Sequence, residues 1–118
     1  MDVSEVKNIT ISVRGNEICE ELKLAGFFNT SVEAYRAAIC IAISKELQID
    51  ESHKGTLNKW DTASVFRDSE SNVEALLLLH GLKPEEIVSQ GKLLAEVGLR
   101  YIAEKMAANT DVLTVLIG

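Results

Sequence analysis

One segment constrains this chain more than any other: Lys7-Asn8-Ile9-Thr10-Ile11-Ser12-Val13. Its polar and apolar residues alternate with period two, which places Ile9, Ile11 and Val13 on one face and Asn8, Thr10 and Ser12 on the other, the pattern of a half-buried strand. A lone strand cannot satisfy its own backbone N–H and C=O groups. No second segment alternates as clearly, so the simplest partner is the same strand of another copy, forming an intermolecular two-stranded sheet.

The rest of the sequence reads as helices. After Arg14-Gly15, Asn16 is a suitable N-cap for a helix that buries Ile18, Leu22 and Ala25 at i, i+4, i+7 and stops at Gly26. Thr30-Ser31-Val32-Glu33 forms a capping box for a second helix, expected to run through Leu47. From Ala37 to Ile43 that helix is apolar on nearly every side, so it needs cover on more than one face, which a second copy would supply. Residues 51–71 turn polar and read as a connector anchored by Leu57, Trp60, Val65 and Phe66. A third helix is expected over Asn72–His80, capped by Asp68, Ser69 or Ser71, with His80 at its C-terminal end before Gly81. Pro84 opens a fourth that reaches about Ala108, its inner stripe formed by Ile87, Leu94, Val97, Tyr101 and Met106, with Gly91 and Gly98 permitting close helix approach. The tail 111–117 is apolar and reads equally as strand or helix.

Composition narrows the function classes. Leu, Ile, Val and Ala dominate and aromatics are only 5%, which favours a mainly α fold over a sandwich or barrel. Eighteen acidic against twelve basic residues give a net charge of −6, a field that opposes nucleic acid and anionic lipid unless basic groups gather locally. No run is long enough for a membrane span and Met1-Asp2-Val3-Ser4-Glu5 has no signal-peptide pattern, so the expected location is cytoplasmic. Cys19 and Cys40 lie in apolar segments without CxxC spacing and read as buried free thiols. Two unlinked His and two such Cys make no zinc pattern, and no phosphate loop, nucleophile elbow or dinucleotide fingerprint occurs. The chain therefore reads as a non-enzyme with no cofactor and no metal.

The order of an alternating strand, a helix, the turn Gly26-Phe27-Phe28-Asn29 and the capped helix from Thr30-Ser31-Val32-Glu33-Ala34-Tyr35-Arg36 resembles the ribbon-helix-helix superfamily over residues 7–47. The resemblance implies an N-terminal dimerisation and DNA-binding unit, residues 1–50, whose strands pair across a homodimer or larger oligomer and enter a DNA major groove. It implies groove contacts by Asn8, Thr10 and Ser12, phosphate contacts by Lys7 and Arg14, and a phosphate clamp at the helix start formed by Thr30 and Ser31. Asn, Thr and Ser are suitable readers of base edges, and a capped helix start presents free N–H groups. Residues 51–118 then form a helical appendage for which the resemblance leaves three roles open, extension of the dimer to a tetramer, binding of a small ligand, or docking of a protein partner, the last favoured by its acidity. The function implied is sequence-specific transcriptional regulation. The alternative is a non-catalytic subunit that uses the ribbon for assembly only, favoured by the acidic charge and the neutral ribbon face, because phosphate neutralisation supplies most non-specific DNA affinity.

Overall fold

The computed structural model describes residues 9–68 and 72–108; Lys7, Asn8, Ser69, Ser71 and the tail 111–117 lie outside the described residues. The elements are β1 (Ile9–Ile11), α1 (Val13–Leu24), α2 (Ser31–Ser44), β2 (Leu57–Trp60), α3 (Thr62–Phe66), α4 (Val73–Leu79) and α5 (Ile87–Ala107), with a 3-10 turn at Pro84–Glu86 ahead of α5. The fold is mainly helical with one small antiparallel sheet.

Ile9 and Ile11 are fully buried, as the alternation requires, and each contributes roughly 1.5–3 kcal/mol by leaving water. Their strand's partner differs from expectation. β1 pairs with β2 of the same chain, Ile9 opposite Trp60, Thr10 opposite Asn58 and Ile11 opposite Leu57, a partner that the alternation pattern does not reveal. The register is irregular between Ile9 and Thr10, so Lys59 is an extra residue on β2, a bulge that lets Leu57 and Trp60 both oppose isoleucines although they are three apart. That spacing defeats a period-two reading, so β2 is hidden within the polar stretch 51–71.

Ser12 does not continue the strand. Its backbone is extended, but its Oγ accepts from the Gly15 N–H at 2.9 Å and caps α1, which starts three residues before the expected cap at Asn16. Serine is as effective at that position as asparagine, and Gly15, lacking a side chain, lets a neighbouring element approach the first turn. The Thr30 half of the predicted capping box is present, with Oγ1 accepting from the Glu33 N–H at 3.4 Å. α2 ends at Ser44, short of Leu47, because the Glu46 and Leu47 N–H groups turn back onto the Ile43 and Ala42 carbonyls. Asn72 itself caps α4, accepting from the Ala75 N–H at 3.0 Å, and His80 is the C-cap as read from the sequence.

α5 lies along α2 and provides much of the cover that a second copy was expected to give. Its buried stripe is Ile87, Gly91, Leu94, Ala95, Gly98, Leu99 and Ile102, whereas Val97, Tyr101 and Met106 sit on its flank, half-buried. At the crossing, a Cβ on Gly98 would stand 2.0 Å from the Ala38 carbonyl oxygen, so the two backbones touch. Ala34, Tyr35, Ala38, Ile39, Ile41 and Ala42 of α2 are buried in the same core as Ile18, Leu22, Val65, Phe66 and Leu77. Cys19 is buried, and burial pushes its thiol up to about 12; Cys40, expected inside, is exposed on the side of α2 turned away from that core.

Candidate functional site

The sheet sorts its side chains by face. Ile9 and Ile11 point inward, so Thr10, between them, points outward, opposite the exposed Asn58. The bulged Lys59 is turned toward α1, where its ammonium donates to the Glu20 carboxylate at 2.9 Å and to the Asn16 side-chain oxygen. The bond from Lys59 holds the Glu20 carboxyl below its ordinary range. Lys59 is thus already partnered.

Thr10 opens onto a cavity of about 280 Å³ between the loop 53–55 and α5, lined by Thr10, His53, Lys54, Gly55, Ser89, Lys92, Leu93 and Glu96. The loop is pressed against β1: a Cβ on Gly55 would stand 2.5 Å from the Ile11 nitrogen, and the Thr56 N–H donates to the Ile11 carbonyl at 3.1 Å. Asp50 supports the loop, its Oδ1 accepting from the Ser52 N–H and hydroxyl, which holds the Asp50 carboxyl below the usual range, and its Oδ2 lying 3.5 Å from His53 Nε2. His53 Nδ1 is buried without a partner among the described residues.

Glu96 forms the inner wall of this cavity and is 1% exposed. Its Oε2 accepts from the Ser12 N–H at 2.9 Å, and its Oε1 accepts from the Ser12 hydroxyl at 2.6 Å and from Arg100 Nη1 at 2.7 Å. The buried carboxylate is therefore paired and hydrogen-bonded, as a buried charge must be. Close to it, the Tyr35 hydroxyl is buried without a partner among the described residues, and the Tyr35 ring lies tilted 4.9 Å from that of Trp60; burial, reinforced by the Glu96 charge, pushes the hydroxyl well above its ordinary range.

Lys54 and Lys92, in contrast, have no ion-pair partner among the described residues. Two free ammonium groups facing one cavity on an acidic chain suit an anion. Compared with protein-family models, with curated proteins and with solved structures, the chain matches none. The site must be read from its own chemistry.

The residues singled out from the sequence are dispersed. Lys7 and Asn8 lie outside the described residues. Thr10 reaches the cavity, but Ser12 is spent on its cap and on Glu96, inside the protein, so no row of three outward side chains forms. Arg14 is exposed on α1 and pairs with Glu17 at 3.3 Å and Glu21 at 3.8 Å. Thr30 lines a separate groove of about 760 Å³ between α2 and α4, with Phe28, Val32, Arg36, Cys40 and Leu76, and Ser31 begins α2 beside it. What sequence reading passed over is the row Ser89, Lys92, Leu93 and Glu96, whose i, i+3, i+4, i+7 spacing is one face of a helix. Among the described residues, no three His, Cys, Asp or Glu side chains gather as a metal ion requires, and no helix is long and apolar enough to cross a membrane.

Proposed function

We propose that this chain is a non-catalytic DNA-binding protein of ribbon-helix-helix type, acting in transcriptional control, in which the two-stranded ribbon comes from a single chain. The observation that carries this reading is the outward pair Thr10 and Asn58 beside the unpaired Lys54 and Lys92. A two-stranded antiparallel ribbon fits a major groove, and Thr and Asn are suitable donors and acceptors for base edges. The lysines supply the local positive charge that the sequence as a whole lacks. The order β1, α1, α2 with a capped second helix supports this reading, although β1 here pairs with β2 of its own chain.

The test is fluorescence anisotropy with duplex DNA at about 50 and 200 mM salt, where each phosphate contact adds roughly 0.9 to the slope of log affinity against log salt. The expected result is retention at low salt that falls steeply at high salt, with relaxed sequence preference in a Thr10→Ala, Asn58→Ala variant. Absence of salt-dependent retention overturns the reading.

A second reading, an assembly or protein-interaction subunit, is favoured by α4, where Leu76, Leu78 and Leu79 are exposed and Leu76 lines the mixed polar and apolar groove against α2. Large exposed apolar residues grouped together mark contact surfaces more often than solvent-facing ones.

A further inference from the structure

We propose that the cavity between loop 53–55 and α5 is a binding site for a phosphoryl group, held between Lys54 and Lys92. The inference deepens the DNA reading and rests on the same face, but it requires only the phosphoryl chemistry, whether carried by a small phosphorylated molecule or by the end of a nucleic-acid strand.

The charges decide which ligand class fits. Of the cavity's titratable side chains, Glu96 is the only acid, and its charge is met by Arg100 at 2.7 Å and by two donors from Ser12. The wall is therefore internally balanced, and the two lysines remain as an uncompensated positive pair. Ammonium groups bind phosphate as point charges, without the planar geometry a carboxylate-selective arginine fork imposes. The hydroxyls of Thr10 and Ser89 provide neutral donors in the same lining, and His53 adds an imidazole whose Nδ1 has no partner among the described residues. The volume, about 280 Å³, lies at the low end of small-molecule pockets and accommodates a phosphoryl group with a small body attached, for which Leu93 is the apolar contact.

The wall is also built to hold its shape. Loop 53–55 is fixed to β1 by the Gly55 approach and the Thr56 bond, while α5 is fixed to the start of α1 through Glu96 and Ser12. Lys54 and Lys92 thus project from two supported elements, and binding does not first have to order a loop.

Isothermal titration calorimetry with inorganic phosphate tests the site, using the full chain, a Lys54→Gln, Lys92→Gln variant and a Lys23→Gln, Lys83→Gln control whose lysines lie outside the cavity. The expected result is saturable binding by the full chain and the control, weakened about tenfold or more in the cavity variant. Glutamine keeps most of each stem and no ion pair is lost, so the variant's unliganded melting midpoint is expected to match that of the parent. Equal affinity in all three proteins, or no binding, overturns the proposal. A second arm compares blunt duplex DNA with and without a 5′-phosphate. Preference for the phosphorylated end identifies a nucleic-acid terminus as the source. Phosphate binding without any DNA retention leaves the site standing and removes the DNA reading, whereas DNA retention indifferent to the cavity variant, with no phosphate binding, removes the site and leaves that reading in place.

Discussion

Glu96 joins the N-terminal segment to the last helix through one side chain. It takes both hydrogens offered by Ser12 and one from Arg100, so its removal leaves the buried Ser12 N–H without an acceptor and Arg100 with the Glu96 main-chain carbonyl at 3.3 Å in place of the carboxylate. Glu96→Ala is expected to lower unfolding free energy by about 2–4 kcal/mol, less than for a wholly buried pair because Arg100 can still reach water. Glu96→Gln keeps an acceptor for Ser12 and should lose less than the alanine variant. Urea denaturation of both reads the difference, and equal losses would show that the charge, not the Ser12 bonds, is what matters. The sequence made Thr10 legible as an outward residue because burial of Ile9 and Ile11 fixes its face. It could not make Ser12 legible, since serine alternates correctly for a strand and caps a helix equally well, and only the acceptor on α5, 84 positions away, decides between them.

Caps and stops set by local chemistry are legible, as at Thr30 and His80, whereas Pro84 opens a 3-10 turn with α5 beginning only at Ile87, and boundaries set by tertiary contact are less legible. The inner stripe of α5 is displaced onto the neighbouring residues because Gly91, Ala95 and Gly98 are small enough to let Phe66 and α2 approach, a packing that hydrophobicity alone does not rank. Gly98 is the sharpest case. Adding one methyl there gains about 1 kcal/mol of helix propensity, yet it meets the Ala38 backbone, which cannot rotate aside as a side chain can. Gly98→Ala is expected to be destabilising overall by about 1–3 kcal/mol, measured as a lowered midpoint in thermal unfolding. An unchanged or raised midpoint would mean that α2 and α5 separate freely.

For the whole molecule, the question is how many copies act together. Within one chain, α5 and β2 satisfy most of what a partner was expected to provide, but Leu79 remains 87% exposed, close to Leu76 and Leu78. If the assembly reading holds, sedimentation at rising concentration should give a mass above the 12.9 kDa of one chain, and a Leu76→Lys, Leu79→Lys variant should return it to that value. A chain that sediments as a monomer throughout removes this reading and leaves α4 as an ordinary solvent-facing helix. The two cavities are lined by different residues, so association through α4 and anion binding at Lys92 can be measured independently.

The offset hairpin also makes this architecture searchable. Two isoleucines two positions apart, answered some fifty residues later by large apolar side chains three positions apart with a lysine tucked between them, form a fingerprint in which spacing carries more information than residue identity. Divergent chains that preserve this mismatch of two against three while changing almost everything else would be recognisable as sharing the hairpin, and a single-residue deletion within it would break the register that sets Trp60 opposite Ile9.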